Sequence, residues 1–346
     1  MSIMDGNETE KFIKKKPTIV EIAKTCGVSI KTVSRVINHD SNVSPKTRER
    51  IEAVISDLGY QTNAFASGLR SGKSNIVLVF MDKNKEEYLS EWHSVMLGYL
   101  FRDAAQQGLN MIMSLSDSKY AITDNTDGFS VLTKGFADGA ILLENVPGDS
   151  RIEYFQKHNI PFVLFGEPSS EDICSVSLDN YQIGFTGGLH LLEKGYRNIA
   201  FFVGERDYIA TKRRIEGFRA ATNNAEGVFE VFQDINSAET AYIQAKNLLA
   251  EKHYDAFFVA GDERAIGVYR AANELGYSIP KDIGVLGVNN IPACEYYLPQ
   301  LTTIEQDFER MSRECMDLLI RQIRGEEVVG SRVIRFQPRI IEREST

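Results

Sequence analysis

The sequence predicts a mixed α/β protein with a helical domain at the N-terminus, followed by a body of two parallel α/β lobes. From Asn75 onward, short continuous apolar segments alternate with helical stretches. Continuous apolar segments are typical of strands buried on both faces of a parallel sheet, with helices completing βαβ units. The first sixty residues contain no such strands but hold three sets of helix start and stop signals.

The chain divides into four segments. Residues 1–16 are a polar lead-in, 17–60 a helical head, 61–73 a linker and 74–346 the body. The lead-in lacks the apolar stretch of a secretory signal, and no apolar segment approaches the roughly 18 residues that span a bilayer. The four cysteines lie far apart, which predicts reduced thiols in a cytoplasm.

Charge is distributed unevenly along the chain. Residues 1–73 hold 12 Lys and Arg against 8 Asp and Glu, a net charge of +4, whereas the remaining residues carry a net charge of −13. This asymmetry indicates an anionic partner for the head.

Each helix of the head begins with a recognisable cap. Thr18 and Glu21 form a capping box for the first helix, and Ser29 caps a second helix that runs from Ile30 to about Asn38. The third helix begins at Ser44-Pro45 and ends at Gly59. We expect its apolar face to comprise Ile51, Val54, Ile55 and Leu58.

The second helix has two chemically different faces. The apolar residues are Val33, Val36 and Ile37. The opposite face carries Lys31, Ser34, Arg35 and Asn38. Two short helices around a turn, supported by a third, form a helix-turn-helix unit that presents one helix to a major groove about 12 Å wide. Lys31 and Arg35 are suited to guanine, Ser34 and Asn38 to phosphates or base edges, and Ile30 to a thymine methyl group. A small helical bundle with a solvated face remains the alternative at this point.

The segments TIVEIAKTCGVSIKTVSRVIN and VSPKTRERIEAVISDLGYQTNAFASGLRSGKS resemble the headpiece of the lactose/galactose-repressor (LacI/GalR) family. The resemblance implies a DNA-binding transcription regulator, a repressor, in which Ile30, Lys31 and Arg35 read bases. It also implies a hinge that becomes helical on operator DNA and inserts Leu69 into the minor groove. The implied DNA-binding residues are Thr18, Ile19, Ile30, Lys31, Ser34, Arg35, Asn38, Ser44, Thr47, Tyr60, Asn63, Ala66 and Leu69.

The resemblance extends over the body and implies the periplasmic-binding-protein fold, in which two lobes close on a small molecule. From the residues alone, a doubly wound enzyme fits equally well. The predicted strands are IVLVF, LNMIMSL, GAILL, PFVLFG, NIAFFVG, FEVF, DAFFVAG and IGVLGV. Ligand sites in such sheets lie at the carboxyl ends of strands. The predicted effector-binding residues are Asp82, Trp92, Glu167, Arg214, Asp262 and Asn289.

The body departs from the family at acidic positions, because Gly166, Asn289 and Asn290 stand where carboxylates are frequent. We therefore expect a larger or acidic sugar, or another metabolite, in place of a plain monosaccharide. The sequence lacks the HExxH and GxSxG motifs, so we predict no catalytic residue, metal or cofactor.

The predicted partners are operator DNA, a sugar-like effector and a second copy of the chain, as a homodimer or dimer of dimers. The rival hypothesis is a cytoplasmic solute-binding module or sugar-modifying enzyme with an incidental helical head.

Overall fold

The structure, a computed structural model, describes residues 17–37, 40–60, 74–82, 90–119, 128–251, 253–327 and 332–346. The chain separates into two compact units, Met1–Ser74 and Asn75–Thr346. The predicted lead-in 1–16 and linker 61–73 lie outside the described residues.

The described part of the first unit holds three helices, α1 (Ile19–Thr25), α2 (Ile30–Ile37) and α3 (Pro45–Leu58). The capping box of Thr18 and Glu21 is present, Ser44 caps α3, and Gly59 ends α3 in the left-handed conformation at φ 61°. These boundaries agree with the start and stop signals in the sequence.

The core of this unit forms where the three apolar faces meet. Ile22 of α1, Val33 of α2 and Ile51 of α3 are completely buried, and Val36 is nearly so. Leu58, predicted on the apolar face of α3, is 43% exposed. It is the last residue of its helix, so the packed part of α3 has ended before it.

The described residues of the second unit form two six-stranded sheets with equivalent strand orders. The first sheet is parallel throughout, in the order β11-β5-β4-β3-β1-β2. Its strands are β1 (Ile76–Asp82), β2 (Asn110–Ser116), β3 (Gly139–Leu143), β4 (Phe162–Phe165), β5 (Ser175–Leu178) and β11 (Val333–Phe336).

The second sheet has the order β12-β10-β9-β8-β6-β7, in which only β12 runs antiparallel to its neighbour. Its strands are β6 (Asn198–Phe202), β7 (Val228–Phe232), β8 (Ala256–Val259), β9 (Gly284–Asn289), β10 (Thr302–Glu305) and β12 (Arg339–Ile341). The two-lobed parallel α/β architecture expected from the sequence is confirmed.

Helices cover the sheets, and the central strands are fully buried, as continuous apolar segments predict. The helices are α4 (Glu91–Gln106), α5 (Phe129–Thr133), α6 (Ser150–Lys157), α7 (Asn180–Glu193), α8 (Ile209–Thr222), α9 (Ala238–Glu251), α10 (Asp262–Leu275) and α11 (Phe308–Arg324). A 3₁₀ helix spans Pro292–Tyr296.

The chain passes between the lobes three times, after β5, after β10 and after β11. The strands β5, β10, β11 and β12 beside these crossings were not predicted, because they are short and rich in polar or charged residues. Each sheet therefore gains its last strand from the C-terminal residues, which ties the two lobes together.

Candidate functional site

The outer face of α2 is a cluster of exposed polar and basic side chains. Ile30 is 48% exposed, Lys31 is exposed and Ser34 is half-buried, while Val33 and Val36 hold the helix to the head. The Ser29 hydroxyl accepts a hydrogen bond from the Thr32 amide at 3.1 Å and fixes the start of the helix. The face that the sequence indicated for base contact is therefore presented outward.

Arg35 belongs to the same face, with its side chain 43% exposed. Its Nε lies 3.7 Å from the Asp40 carboxylate. The pKa of Asp40 is lowered, chiefly by the backbone amide of Asn42 and to a smaller extent by Arg35. Ion pairs at this exposure contribute little, so Arg35 exchanges this partner easily for another.

The helices before and after α2 in the chain, α1 and α3, both begin with a capped N-terminus. The Thr18 amide donates to Glu21 Oε2 at 2.7 Å, and the Thr47 amide donates to the Ser44 hydroxyl at 3.3 Å. Ile19 and Tyr60 pack half-buried against the head core, which leaves one edge of each exposed. The predicted Asn38, Asn63, Ala66 and Leu69 lie outside the described residues.

A cavity of about 740 Å³ lies at the carboxyl ends of the strands of the second unit. Both lobes line it: Glu144 and Gly166 follow β3 and β4, while Glu205 and Glu263 follow β6 and β8. Ligands of doubly wound sheets bind at this edge, where the loops after the strands converge. Of the predicted effector-binding residues, Trp92, Arg214 and Asn289 line the cavity.

Arg214 projects from α8 into this cavity and is held by Asn180 at the start of α7. Its Nε donates to Asn180 Oδ1 at 2.8 Å. Asn180 in turn donates to Glu167 Oε2 at 3.0 Å and to the Leu178 carbonyl at 3.1 Å. Arg335 of β11 donates to the other oxygen of Glu167 at 3.2 Å. The guanidinium therefore has a fixed orientation, set by a chain of hydrogen bonds that ends in the other lobe.

Two glycines allow α7 and α8 to approach closely enough for this bond. A Cβ at Gly184 would lie 1.9 Å from the Arg214 carbonyl oxygen, and a Cβ at Gly217 would lie 1.9 Å from the Tyr181 carbonyl oxygen. Neither position has space for a side chain. The position of Arg214 thus depends on glycines in both helices.

Burial lowers the pKa of Arg214 to about 10, and the neighbouring Arg264 acts in the same direction. The Glu144 carboxylate opposes this shift. The guanidinium remains charged at neutral pH, but its weakened hydration makes a ligand hydroxyl or carboxylate an effective replacement for water.

Comparison with known proteins matches both units. Residues 18–63 match the model of the bacterial regulatory proteins of the lacI family, and residues 189–346 match the periplasmic binding protein-like domain. The chain is 30% identical to catabolite control protein A of Priestia megaterium, over 95% of this chain and 99% of that protein. It is also 30% identical to the HTH-type transcriptional repressor PurR of Erwinia tasmaniensis, over 95% of this chain and 96% of that protein.

The chain belongs to the LacI family of bacterial regulatory proteins.

Solved structures agree with this assignment. The lac repressor dimer bound to operator and an anti-inducer has a TM-score of 0.80 and 25% identity, over 96% of this chain and 99% of that chain. A complex of the transcriptional regulator CelR with cellobiose has a TM-score of 0.67 and 25% identity, over 95% and 100% of the two chains. This LacI-family protein is a DNA-binding transcriptional regulator with an effector-binding domain. Among its described residues, no helix is long and apolar enough to cross a membrane, and no cluster of potential ligands could hold a metal ion.

Three predicted effector residues of this LacI-family chain do not line the cavity. Asp82 is buried as the last residue of β1, and Glu167 is occupied by Asn180 and Arg335. Asp262 is completely buried, accepting hydrogen bonds from the Thr303 hydroxyl at 2.6 Å and the Ile291 amide at 3.1 Å. Its side chain points into the lobe, so the next two residues, Glu263 and Arg264, meet the cavity in its place.

The buried position of Asp262 predicts a pH-dependent stability. Burial raises the pKa of Asp262 from 3.8 to about 6 in the folded protein. Because the folded state then binds the proton more tightly than the unfolded chain, this contribution to stability is present at low pH and lost as pH rises through about 6. Urea unfolding at pH 4.5 and 7.5 should show wild type losing stability relative to Asp262→Asn between these values. If the difference in unfolding free energy between wild type and Asp262→Asn were the same at both pH values, the raised pKa of Asp262 would be contradicted.

Sequence reasoning missed Glu144, Asn180, Glu263 and Arg264 as cavity residues. Glu144 directly follows the predicted strand GAILL, so the rule that found Glu167 would have found it. Asn180 follows β5, whose sequence SVSL gave no apolar signal. Carboxylates stand elsewhere in the cavity than at Gly166, Asn289 and Asn290, because Glu144, Glu205, Glu239 and Glu263 line it.

Proposed function

We propose that this protein represses transcription as a homodimer that reads a two-fold-symmetric operator and releases or tightens its hold when a sugar-like effector enters the cavity. The outward face of α2 is the observation that carries the DNA-reading part. Lys31 and Arg35 supply the donors that guanine requires, and their apolar neighbours hold the helix firmly. Among the described residues, the proposed DNA contacts are Thr18, Ile19, Ile30, Lys31, Ser34, Arg35, Ser44, Thr47 and Tyr60.

A sugar-like effector is supported by the chemistry of the cavity wall. Four carboxylates and two guanidinium groups line it, together with the aromatic side chains of Trp92 and Phe165. Carboxylates accept from hydroxyl groups, guanidinium groups donate to them, and an aromatic face covers the apolar face of a pyranose ring. The volume of about 740 Å³ exceeds the needs of a plain monosaccharide. The cellobiose bound by the related CelR and the ribose bound by a related regulator of Enterococcus faecium support the same class.

A homodimer is supported by large apolar side chains that the single chain leaves exposed. Tyr296 and Leu298 beside the 3₁₀ helix are 82% and 89% exposed, and Ile112, Met113 and Leu115 are exposed on the edge strand β2. Large apolar side chains left exposed in this way are typical of protein interfaces. A symmetric dimer would place two heads on two half-sites of one operator.

Arg214→Gln tests the proposed regulation. We expect it to weaken effector binding about 10- to 100-fold, through loss of a charged hydrogen-bond donor, while operator affinity without effector stays unchanged. Operator binding is measured by fluorescence anisotropy with and without the effector. Arg213→Gln is the matched control, since Arg213 lies next in the same helix but is solvent-exposed and paired with Glu216. A variant at position 214 that responds to effector like wild type would contradict the proposal.

A further inference from the structure

The two sides of the cavity contain polar atoms that make no hydrogen bond. Both carboxylate oxygens of Glu263, the Nε of Arg264 and the hydroxyl of Ser177 are shielded from water and have no hydrogen-bond partner. Ser177 belongs to the first lobe, whereas Glu263 and Arg264 follow β8 of the second lobe. Buried polar groups without partners are costly and rare, so groups of this kind on both walls of one cavity indicate a missing partner between them.

Arg264 is held in place by the backbone of its own lobe. The Nη1 of Arg264 donates to the Ala260 carbonyl at 2.9 Å, which fixes the guanidinium and leaves its Nε facing Glu263. The Nε and the nearer carboxylate oxygen of Glu263 are 3.7 Å apart, too far for a direct hydrogen bond. Arg264 is therefore ordered, but the pair is not satisfied.

Two glycines create the space for this pair. A Cβ at Gly204, after β6, would lie 2.9 Å from Arg264 Nη1. A Cβ at Gly261 would lie 3.0 Å from the Glu263 carboxylate and 3.2 Å from the Arg264 guanidinium. Gly261 also has φ +151°, a backbone conformation that side chains rarely permit. The absence of side chains at both positions is what lets Glu263 and Arg264 form part of the cavity wall.

We propose that Glu263 and Arg264 determine effector specificity by binding a vicinal pair of hydroxyl groups of an uncharged sugar. On ligand binding the Glu263 side chain turns toward the cavity, and one hydroxyl then accepts from Arg264 Nε and donates to the nearer oxygen of Glu263. The neighbouring hydroxyl donates to the second oxygen of Glu263. Across the cavity, Ser177 bonds a further hydroxyl when the lobes close.

The charges of the pair exclude other ligand classes. A phosphate or carboxylate on the ligand would face Glu263, and an ammonium group would face Arg264, so a neutral group is favoured. A nucleobase edge also offers a donor beside an acceptor, but it has too few donors for the other carboxylates, such as Glu205 and Glu239. The acidic sugar expected from the sequence is disfavoured because its carboxylate would face Glu263.

The test uses the full-length protein and a panel of uncharged monosaccharides and disaccharides, followed by calorimetry with monodeoxy analogues of the tightest sugar. We expect removal of the hydroxyl at either of two neighbouring ring positions to lower the affinity of wild type about tenfold or more. In Glu263→Gln the parent sugar should bind about 10- to 100-fold more weakly, and the same two deoxy substitutions should then cost little. Glu216→Gln, an exposed carboxylate on α8, is the control and should behave like wild type.

Gly204→Ala provides a second variant, because it displaces Arg264 without removing any charge. It should also weaken binding of the parent sugar. Circular dichroism confirms that each variant is folded. The proposal is overturned if no sugar binds, if nucleobases or sugar phosphates bind more tightly than uncharged sugars, or if Glu263→Gln retains the full deoxy penalties. This inference rests on the proposed effector cavity, but sugar binding that leaves operator affinity unchanged would overturn only the proposed regulation.

Discussion

Gly184→Ala is expected to lower the free energy of unfolding by roughly 2–3 kcal/mol, because a methyl group at this position would collide with the Arg214 carbonyl oxygen at 1.9 Å. The collision is with backbone, so it is relieved only if α7 and α8 move apart. Urea unfolding followed by the fluorescence of Trp92, the sole tryptophan, measures the loss. Because Arg214 is carried by α8, the same variant should also weaken effector binding.

Gly98→Ala is the matched control for this prediction. Gly98 is an exposed helical glycine in α4, and a Cβ there would meet nothing within 4 Å. Alanine should therefore raise the free energy of unfolding by roughly 0.5–1 kcal/mol, through helix propensity alone. Equal effects of the two substitutions would contradict the close approach of α7 and α8.

Arg35→Ala is expected to reduce discrimination between operator and random DNA strongly. A bidentate arginine–guanine contact contributes about 1–3 kcal/mol, so affinity for the operator should fall about 10- to 100-fold or more. Affinity for random DNA should change little, because nonspecific binding depends on phosphate contacts from the whole head. Anisotropy titrations with both DNAs, at one salt concentration near 150 mM, give the ratio of operator affinity to random-DNA affinity.

Lys24→Ala removes the same charge from the head, at the last turn of α1 and not from α2 itself. It should change both affinities slightly and leave their ratio intact. If Arg35→Ala lowered both affinities equally, α2 would not be the base-reading element. The rival hypothesis of an incidental helical head predicts that outcome.

The head was predictable from sequence to within a residue or so, since its structure is decided by local signals. Thr18, Ser29 and Ser44 cap the helices that their sequences indicate, and Gly59 ends α3. Strands β1 to β4 of the first sheet and β6 to β9 of the second were predictable for similar reasons, because segments such as GAILL and FVLF are buried on both faces.

The cavity was predictable only in part, because its geometry depends on pairings distant in sequence. Asp262 followed the right strand, but a long-range hydrogen bond from Thr303 directs its carboxylate into the lobe. Thr303 belongs to β10, where polar threonines are completely buried and satisfied by such contacts. The apolar pattern that reveals other strands is absent there. Glu263 and Arg264 take over the cavity position for a reason that only the fold reveals, namely the space above Gly204 and Gly261.

The central claim is that this protein binds specific DNA under the control of a small molecule, and selection from genomic DNA tests it most directly. Purified full-length protein is mixed with sheared DNA of its source organism near 150 mM salt, and the retained fragments are sequenced with and without a metabolite extract. We predict enrichment of a two-fold-symmetric site, with an occupancy that changes when the extract is added. Retention without any enriched site in both conditions would contradict the claim.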